Sequence, residues 1–169
     1  MLRHFLSLGV DIIRVPGEYP FMELEWEFDG IFLSNGPGDP TKYGPTITEV
    51  QKAIEREKKI FGICLGNQLL ALASGAQTYK LPYGHRGQNQ PVKDLRTGKC
   101  ILTSQNHSFA IDESTLPSYI KPSMKNINDG TNEWIYFEGK EISSVQFHPE
   151  SSPGPHDSTY LFEDFIRKL

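Results

Sequence analysis

Two cysteines in 169 residues, Cys64 and Cys100, leave no basis for a disulfide framework, and they offer no zinc-type spacing. A reducing, cytoplasmic setting is the expectation that follows. No apolar run reaches membrane length, and the pattern after Met1 is too short and too helical for a signal peptide. A basic excess is missing as well. With 17 Lys and Arg against 21 Asp and Glu, the net charge is −4, so neither nucleic acid nor a membrane is expected as a partner. Repeats and low-complexity segments are absent, and the 12 prolines and 15 glycines are spread along the chain rather than pooled in a linker. What remains has the composition of a soluble globular protein, 37% hydrophobic and 22% charged, and fits one domain spanning 1–169.

The first half alternates helical and strand patterns. Leu2, Phe5, Leu6 and Leu8 mark a helix stopped by Gly9, and residues 10–15 (VDIIRV) read as a strand ended by Pro16-Gly17. Ile31-Phe32-Leu33 is a short apolar run of the kind buried in a parallel sheet, and it breaks at the Gly- and Pro-rich loop 34–40. A helix is expected over 45–58, a strand over 59–63 and a helix over 66–76, closed by Gly75. This order predicts an open, mostly parallel α/β sheet with right-handed crossovers and flanking helices. The second half changes character. Short strands are expected at 78–81, 90–95, 100–104, 109–112, 134–137 and 143–147, separated by turn signals, and they predict a small antiparallel section. A final helix spans 160–169.

The chemistry gathers around residues 61–68, FGICLGNQ. A cysteine between glycines at a sharp strand-to-helix turn is the thiol counterpart of the nucleophile elbow. Helix N-terminal amides and the helix dipole favour a thiolate there. A cysteine taken alone is more often a buried structural residue, but the Gly-x-Cys-x-Gly setting of Cys64 reverses that balance. The base best placed for it is His148, ahead of Pro149, with Glu150 at i+2 sharing its strand face and orienting the imidazole. His4, on a helix, and His85, His107 and His156, in loops, are weaker candidates. Oxyanion donors are expected at the amides of Leu65 and Gly36. The Gly36-Pro37-Gly38 loop is a poor phosphate cradle, because no Gly-x-x-x-x-Gly-Lys-Ser/Thr follows.

NGPGDP (35–40), GICLGNQ (62–68) and HPE (148–150) together resemble the class I, triad-type glutamine amidotransferases. GHRGQNQPV (84–92), TSQNHSFAID (103–112) and SVQFHPESSPGPHD (144–157) are similar to the glutaminase domain of the carbamoyl-phosphate synthase small subunit. The resemblance implies a flavodoxin-like fold with Cys64 as nucleophile, His148 and Glu150 as its partners and Gly36 and Leu65 around the oxyanion. It also implies that Gly38, Gln68, Asn106, Ser108 and Phe109 hold the substrate L-glutamine. No cofactor or metal is expected in this domain. ATP, Mg and bicarbonate are expected on a large-subunit partner that receives the ammonia for pyrimidine or arginine biosynthesis. The chain departs from the family pattern at Asn67, where bacterial members have His, and at Ser108, where the pattern has Gly. The family's N-terminal domain and the first strand of this one are expected to be missing. Two other readings stay open: a stand-alone γ-glutamyl hydrolase, and a catalytically silent regulatory or binding module.

Overall fold

The computed structural model describes residues 1–151 and 154–169, so Ser152 and Pro153 of the 144–157 segment lie outside the described residues. One seven-stranded sheet runs through the molecule in the order β1-β2-β7-β6-β5-β3-β4. Its strands are β1 (Gly30–Leu33), β2 (Lys59–Ile63), β3 (Gln77–Asp94), β4 (Cys100–Asp112), β5 (Ile120–Asn126), β6 (Asn132–Phe137) and β7 (Ile142–Val145). The parallel part consists of β1, β2 and β7, paired in register Leu33↔Gly62 and Ile63↔Val145. The other four strands continue from β7 as an antiparallel array.

Helices α1 (Leu2–Ser7), α2 (Gly44–Glu55), α3 (Leu65–Ala73) and α4 (Tyr160–Ile166) sandwich the sheet. Period-two alternation in the central strands sends side chains to two separate cores. Ile31, Leu33 and Ile60 meet Val50 and Ala53 of α2 and Leu70 and Ala71 of α3 on one face. Phe61, Ile63, Val145 and Phe147 meet Phe5 of α1 and Leu161, Phe162 and Phe165 of α4 on the other. Phe162 is completely buried and packs edge-on against Phe5 and Phe61, tying α4 and α1 to β2.

The open α/β sheet with flanking helices is present, and its antiparallel share is larger than the sequence predicts. The stretches expected at 78–81 and 90–95 merge into one long strand that ends at Asp94, and 100–104 and 109–112 merge into another. Register shifts between Lys80 and His85 and between Gly87 and Gln90 absorb the irregularities that read as breaks. Strand β5 escapes a pattern reading because it is polar and contains Pro122, which a bulge accommodates. Residues 10–15 form no strand. The segment has no ladder partner among the described residues, and Ile12 and Ile13 are exposed. A β-pattern without a neighbouring strand to complete its hydrogen bonds does not become β-structure.

The β3–β4 hairpin curls back over the rim where β2 and β7 end. The Ser104 carbonyl of β4 accepts from the His148 amide at 2.9 Å, and the Phe109 carbonyl accepts from Gln68 Nε2 on α3 at 2.9 Å. This fold-over closes a site at the carboxyl ends of the parallel strands, where open α/β sheets bind their ligands.

Candidate active site

Cys64 ends β2 and caps α3 with φ 54° and ψ −102°, a left-handed conformation that costs a non-glycine residue about 1–3 kcal/mol. Two backbone bonds hold it there: its amide donates to the Val145 carbonyl at 2.8 Å, and its carbonyl accepts from the Gln68 amide at 3.2 Å. The turn is this tight because α3 starts directly against β1. A Cβ on Gly66 would run into the Leu33 carbonyl, so only glycine lets the backbones approach. The resulting elbow is buried, with Cys64 4% exposed, in contrast to the exposed Cys100.

His148 lies three residues past the end of β7, behind the fully buried Phe147. The sequence pattern predicts His148 and Glu150 on one strand face; they lie in a turn instead. The Ser151 amide and hydroxyl both donate to the His148 carbonyl, and this fold brings Glu150 Oε1 to 2.9 Å from His148 Nδ1. Burial opposes charge on the imidazole, but pairing with the Cys64 sulfur and with Glu150 outweighs it and pushes the His148 pKa up to about 10. Nε2 is buried and has no hydrogen-bond partner of ordinary geometry among the described residues, and Cys64 supplies the sulfur acting on the ring. Burial raises the Glu150 carboxyl, yet the bond to His148 prevails and holds it below the usual range. Sulfur, imidazole and carboxylate thus come together from positions far apart in the chain.

The remaining expected site residues fall around this centre in three groups. Gly36 packs on Leu65, where an added Cβ would lie 2.5 Å from Leu65 Cδ2, and neither amide donates to another group among the described residues. Gly38 follows in a left-handed turn at φ +89°, and Tyr43 clamps the loop by donating its hydroxyl to the Pro37 carbonyl at 2.6 Å. Gln68, 3% exposed, spends its amide hydrogens on the Phe109 carbonyl and on Gln146 Oε1 at 3.1 Å, which leaves its own oxygen free to accept. Asn106 lies apart from these, lining an open cavity of about 370 Å³ beside His148 and Glu150 together with Arg86. Ser108 carries a contact glycine cannot make: its hydroxyl accepts from Arg86 Nη2 at 2.6 Å.

Some of the site escapes the sequence pattern. Asn67 is fully buried behind the elbow, accepting from Ser144 at 2.8 Å and donating to Gln146 at 3.2 Å. His85 and His107, expected in loops, lie on β3 and β4 and are buried with Gln105 and Glu133. Their signal was present in Thr103, Gln105 and His107, polar residues at alternate positions that share one buried face. His85, His107 and Glu133 bring ligand-type atoms within 4.8 Å of one another. The Gln105 side-chain oxygen stands between the two rings, 2.7 Å from His85 Nδ1 and 2.9 Å from His107 Nε2.

The family model for glutamine amidotransferase class-I matches residues 1–168. The chain belongs to that family. Among curated relatives of this amidotransferase domain, the carbamoyl phosphate synthase arginine-specific small chain of Neosartorya fischeri is 50% identical over 167 residues, 98% of the chain and 37% of the relative. The corresponding small chain of Neurospora crassa is 48% identical over 170 residues, 100% of the chain and 38% of the relative. The chain therefore spans a little over a third of the length of these relatives. Among solved structures, a Thermoplasma acidophilum protein assigned as part of a GMP synthase superposes with a TM-score of 0.78 at 26% identity, covering 98% of this chain and 82% of that one. A Thermotoga maritima glutamine amidotransferase gives 0.63 at 20% identity, over 87% and 70% respectively, and shares the fold. No helix among the described residues is long and apolar enough to cross a membrane.

Proposed function

We propose that this chain is the glutaminase domain of a carbamoyl phosphate synthase small chain, hydrolysing L-glutamine and passing ammonia to a large synthetase subunit. The observation that carries the reading is the partly buried His148–Glu150 pair set against Cys64 on its strained elbow. The raised imidazole pKa keeps His148 protonated beside the sulfur, and an adjacent imidazolium is what a nucleophilic thiolate requires. The sulfur attacks the side-chain carboxamide carbon of glutamine, forming a C–S bond and placing negative charge on the oxygen. The unspent amides of Gly36 and Leu65 are the donors for that oxygen. His148 gives its proton to the departing nitrogen, the C–N bond breaks, and ammonia leaves a glutamyl thioester. The neutral imidazole then takes a proton from water, whose oxygen attacks the thioester. Collapse releases glutamate, and the sulfur is left as thiolate beside a reprotonated His148. Glu150 holds Nδ1 throughout.

The amino-acid end of glutamine falls to Gln68 Oε1 and to the backbone at Gly38, Asn106, Ser108 and Phe109. ATP, Mg and bicarbonate chemistry is assigned to the large subunit. The names of the relatives favour arginine synthesis over pyrimidine synthesis for the product. Their identity, near 50% along the whole chain, favours this reading over a stand-alone γ-glutamyl hydrolase, and the complete Cys-His-Glu set favours it over a silent module.

Glutamate release by the chain assembled with a large subunit tests the proposal. Cys64→Ala is expected to abolish release while ammonia-driven synthesis by the same assembly continues. A glutamine-like alkylator is expected to add one equivalent at Cys64, read by intact-protein mass. Undiminished hydrolysis by Cys64→Ala would reject the reading.

A further inference from the structure

The buried cluster on β3, β4 and β6 is not used by the chemistry above, yet it ends on it. Glu133 is fully buried, and its Oε1 accepts from Gln105 Nε2 at 2.8 Å and from Asn126 Nδ2 at 3.1 Å. His85 stands between two carboxylates, with Nε2 2.8 Å from Asp129 and Nδ1 3.7 Å from Glu133. The nearby Glu133 carboxylate, with Asp129 and the Gln105 oxygen, outweighs the opposing burial and pushes the His85 pKa up to about 9. Next comes Gln105. Its amide nitrogen is taken by Glu133 and by Thr103 at 3.0 Å, so its oxygen is directed at His85 Nδ1 and His107 Nε2. The other nitrogen of His107, Nδ1, is 2.8 Å from the Phe109 carbonyl, the same oxygen that holds the Gln68 carboxamide. An unbroken series of contacts therefore runs from Asp129 and Glu133 through His85, Gln105 and His107 to Phe109 and Gln68.

We propose that the His85–Glu133 pair is a positioning device for the amino-acid end of glutamine, acting through Gln105 and His107 on the Phe109 carbonyl and the Gln68 side chain. This rests on the glutaminase reading of the site. The physical reason is orientational. Burial raises the Glu133 carboxyl above its usual range, and the His85 imidazolium with the Gln105 and Asn126 amides oppose that rise; the two amide N–H groups it accepts fix which end of Gln105 faces the imidazoles. With Gln105 fixed, His107, neutral because burial lowers its pKa to about 4, donates its one N–H to either the Gln105 oxygen or the Phe109 carbonyl and packs against the other, and Phe109 is held in register on a strand whose pairing is interrupted by two bulges. No side-chain hydrogen bond links Glu133, His85, Gln105 or His107 to Cys64 or His148 among the described residues, so their effect belongs to substrate affinity rather than to the chemical step.

The test uses three variants, Glu133→Gln, His85→Asn and Gln105→Met, each in a chain assembled with its large partner. Each is expected to raise the KM for glutamine roughly tenfold, the scale of a lost charge-assisted contact, with kcat changing less than about threefold. Iodoacetamide, which needs no amino-acid subsite, is expected to alkylate Cys64 at the wild-type rate in all three. Glu133→Asp, which keeps the charge, is expected to recover part of the affinity. Any one variant that folds decides the matter. A KM within twofold of wild type, a joint fall of kcat and iodoacetamide reactivity, or failure of all three to fold would overturn the proposal and leave the cluster a structural role. A wild-type assembly that releases no glutamate would instead reject the glutaminase reading itself.

Discussion

At the scale of single residues, two buried histidines and one partly buried one are tuned in opposite directions. Burial drives His107 down to about 4, while pairing drives His85 up to about 9 and His148 up to about 10. The signs follow from proton linkage. Between pH 6.5 and 4 the unfolded chain takes up a proton at residue 107 that the folded chain refuses, so the stability His107 contributes is complete above 6.5 and drains away on acidification. His85 and His148 behave the other way, contributing fully below 6.5 and losing that contribution as pH rises through about 9 and about 10. Thermal melts from pH 4 to pH 10 are expected to fall away on both sides. His107→Gln is expected to flatten the acid limb and His85→Asn the alkaline one. Neither histidine stands out in the sequence, where each lies beside glycine or asparagine in a stretch of loop composition. What makes them titrate abnormally is the packing of their own hairpin, which buries His107 and sets His85 against Asp129 and Glu133 from far along the chain, and no local pattern records that.

At the scale of elements, the β2–α3 elbow was legible from a few letters because its requirements are local: a strand end, glycines for close approach and a helix start. The tail of β7 was legible by pairing rather than by conformation. His148 and Glu150 meet as expected, but through a turn closed by Ser151, since β7 stops at Val145. Strand length was the least readable quantity. Bulges carry β3 through 18 residues of glycine, proline and charge that look like several short pieces. The elbow also makes a sharp prediction. Gly36→Ala places a methyl group 2.5 Å from Leu65 Cδ2 at ordinary φ, so the backbone conformation is tolerated and the contact is not. Leu65 Cδ2 is the free end of a flexible side chain and turns aside, leaving the Leu65 amide in place. Glutamine hydrolysis is expected to fall by less than about tenfold in kcat, short of the roughly 10²-fold that losing an oxyanion donor costs, with little change in the melting temperature, measured by steady-state kinetics beside a thermal melt.

At the scale of the whole molecule, two cores on opposite faces of the sheet share the strands that carry the site. The α1–α4 side depends on Phe162, completely buried among Phe5, Phe32 and Phe61. Phe162→Ala is expected to cost about 3–5 kcal/mol, the usual range for emptying such a position. In a chain of this length that lowers the melting temperature by on the order of 10 °C, which differential scanning calorimetry reads directly. The open α/β sheet with its flanking helices was foreseeable from apolar spacing. The curl that folds β4 over the rim was not, because it is set by accumulated bulges and long-range bonds such as His148 to Ser104.

That last bond has a consequence for how the molecule is throttled. The sulfur rides on the parallel strands, whereas the imidazole is moored from behind by the antiparallel hairpin. The gap between them therefore works as a gauge of how the two halves of the sheet lie against each other. Any force that slides the hairpin along the rim, from whatever source, is registered first as a longer or shorter path for the proton.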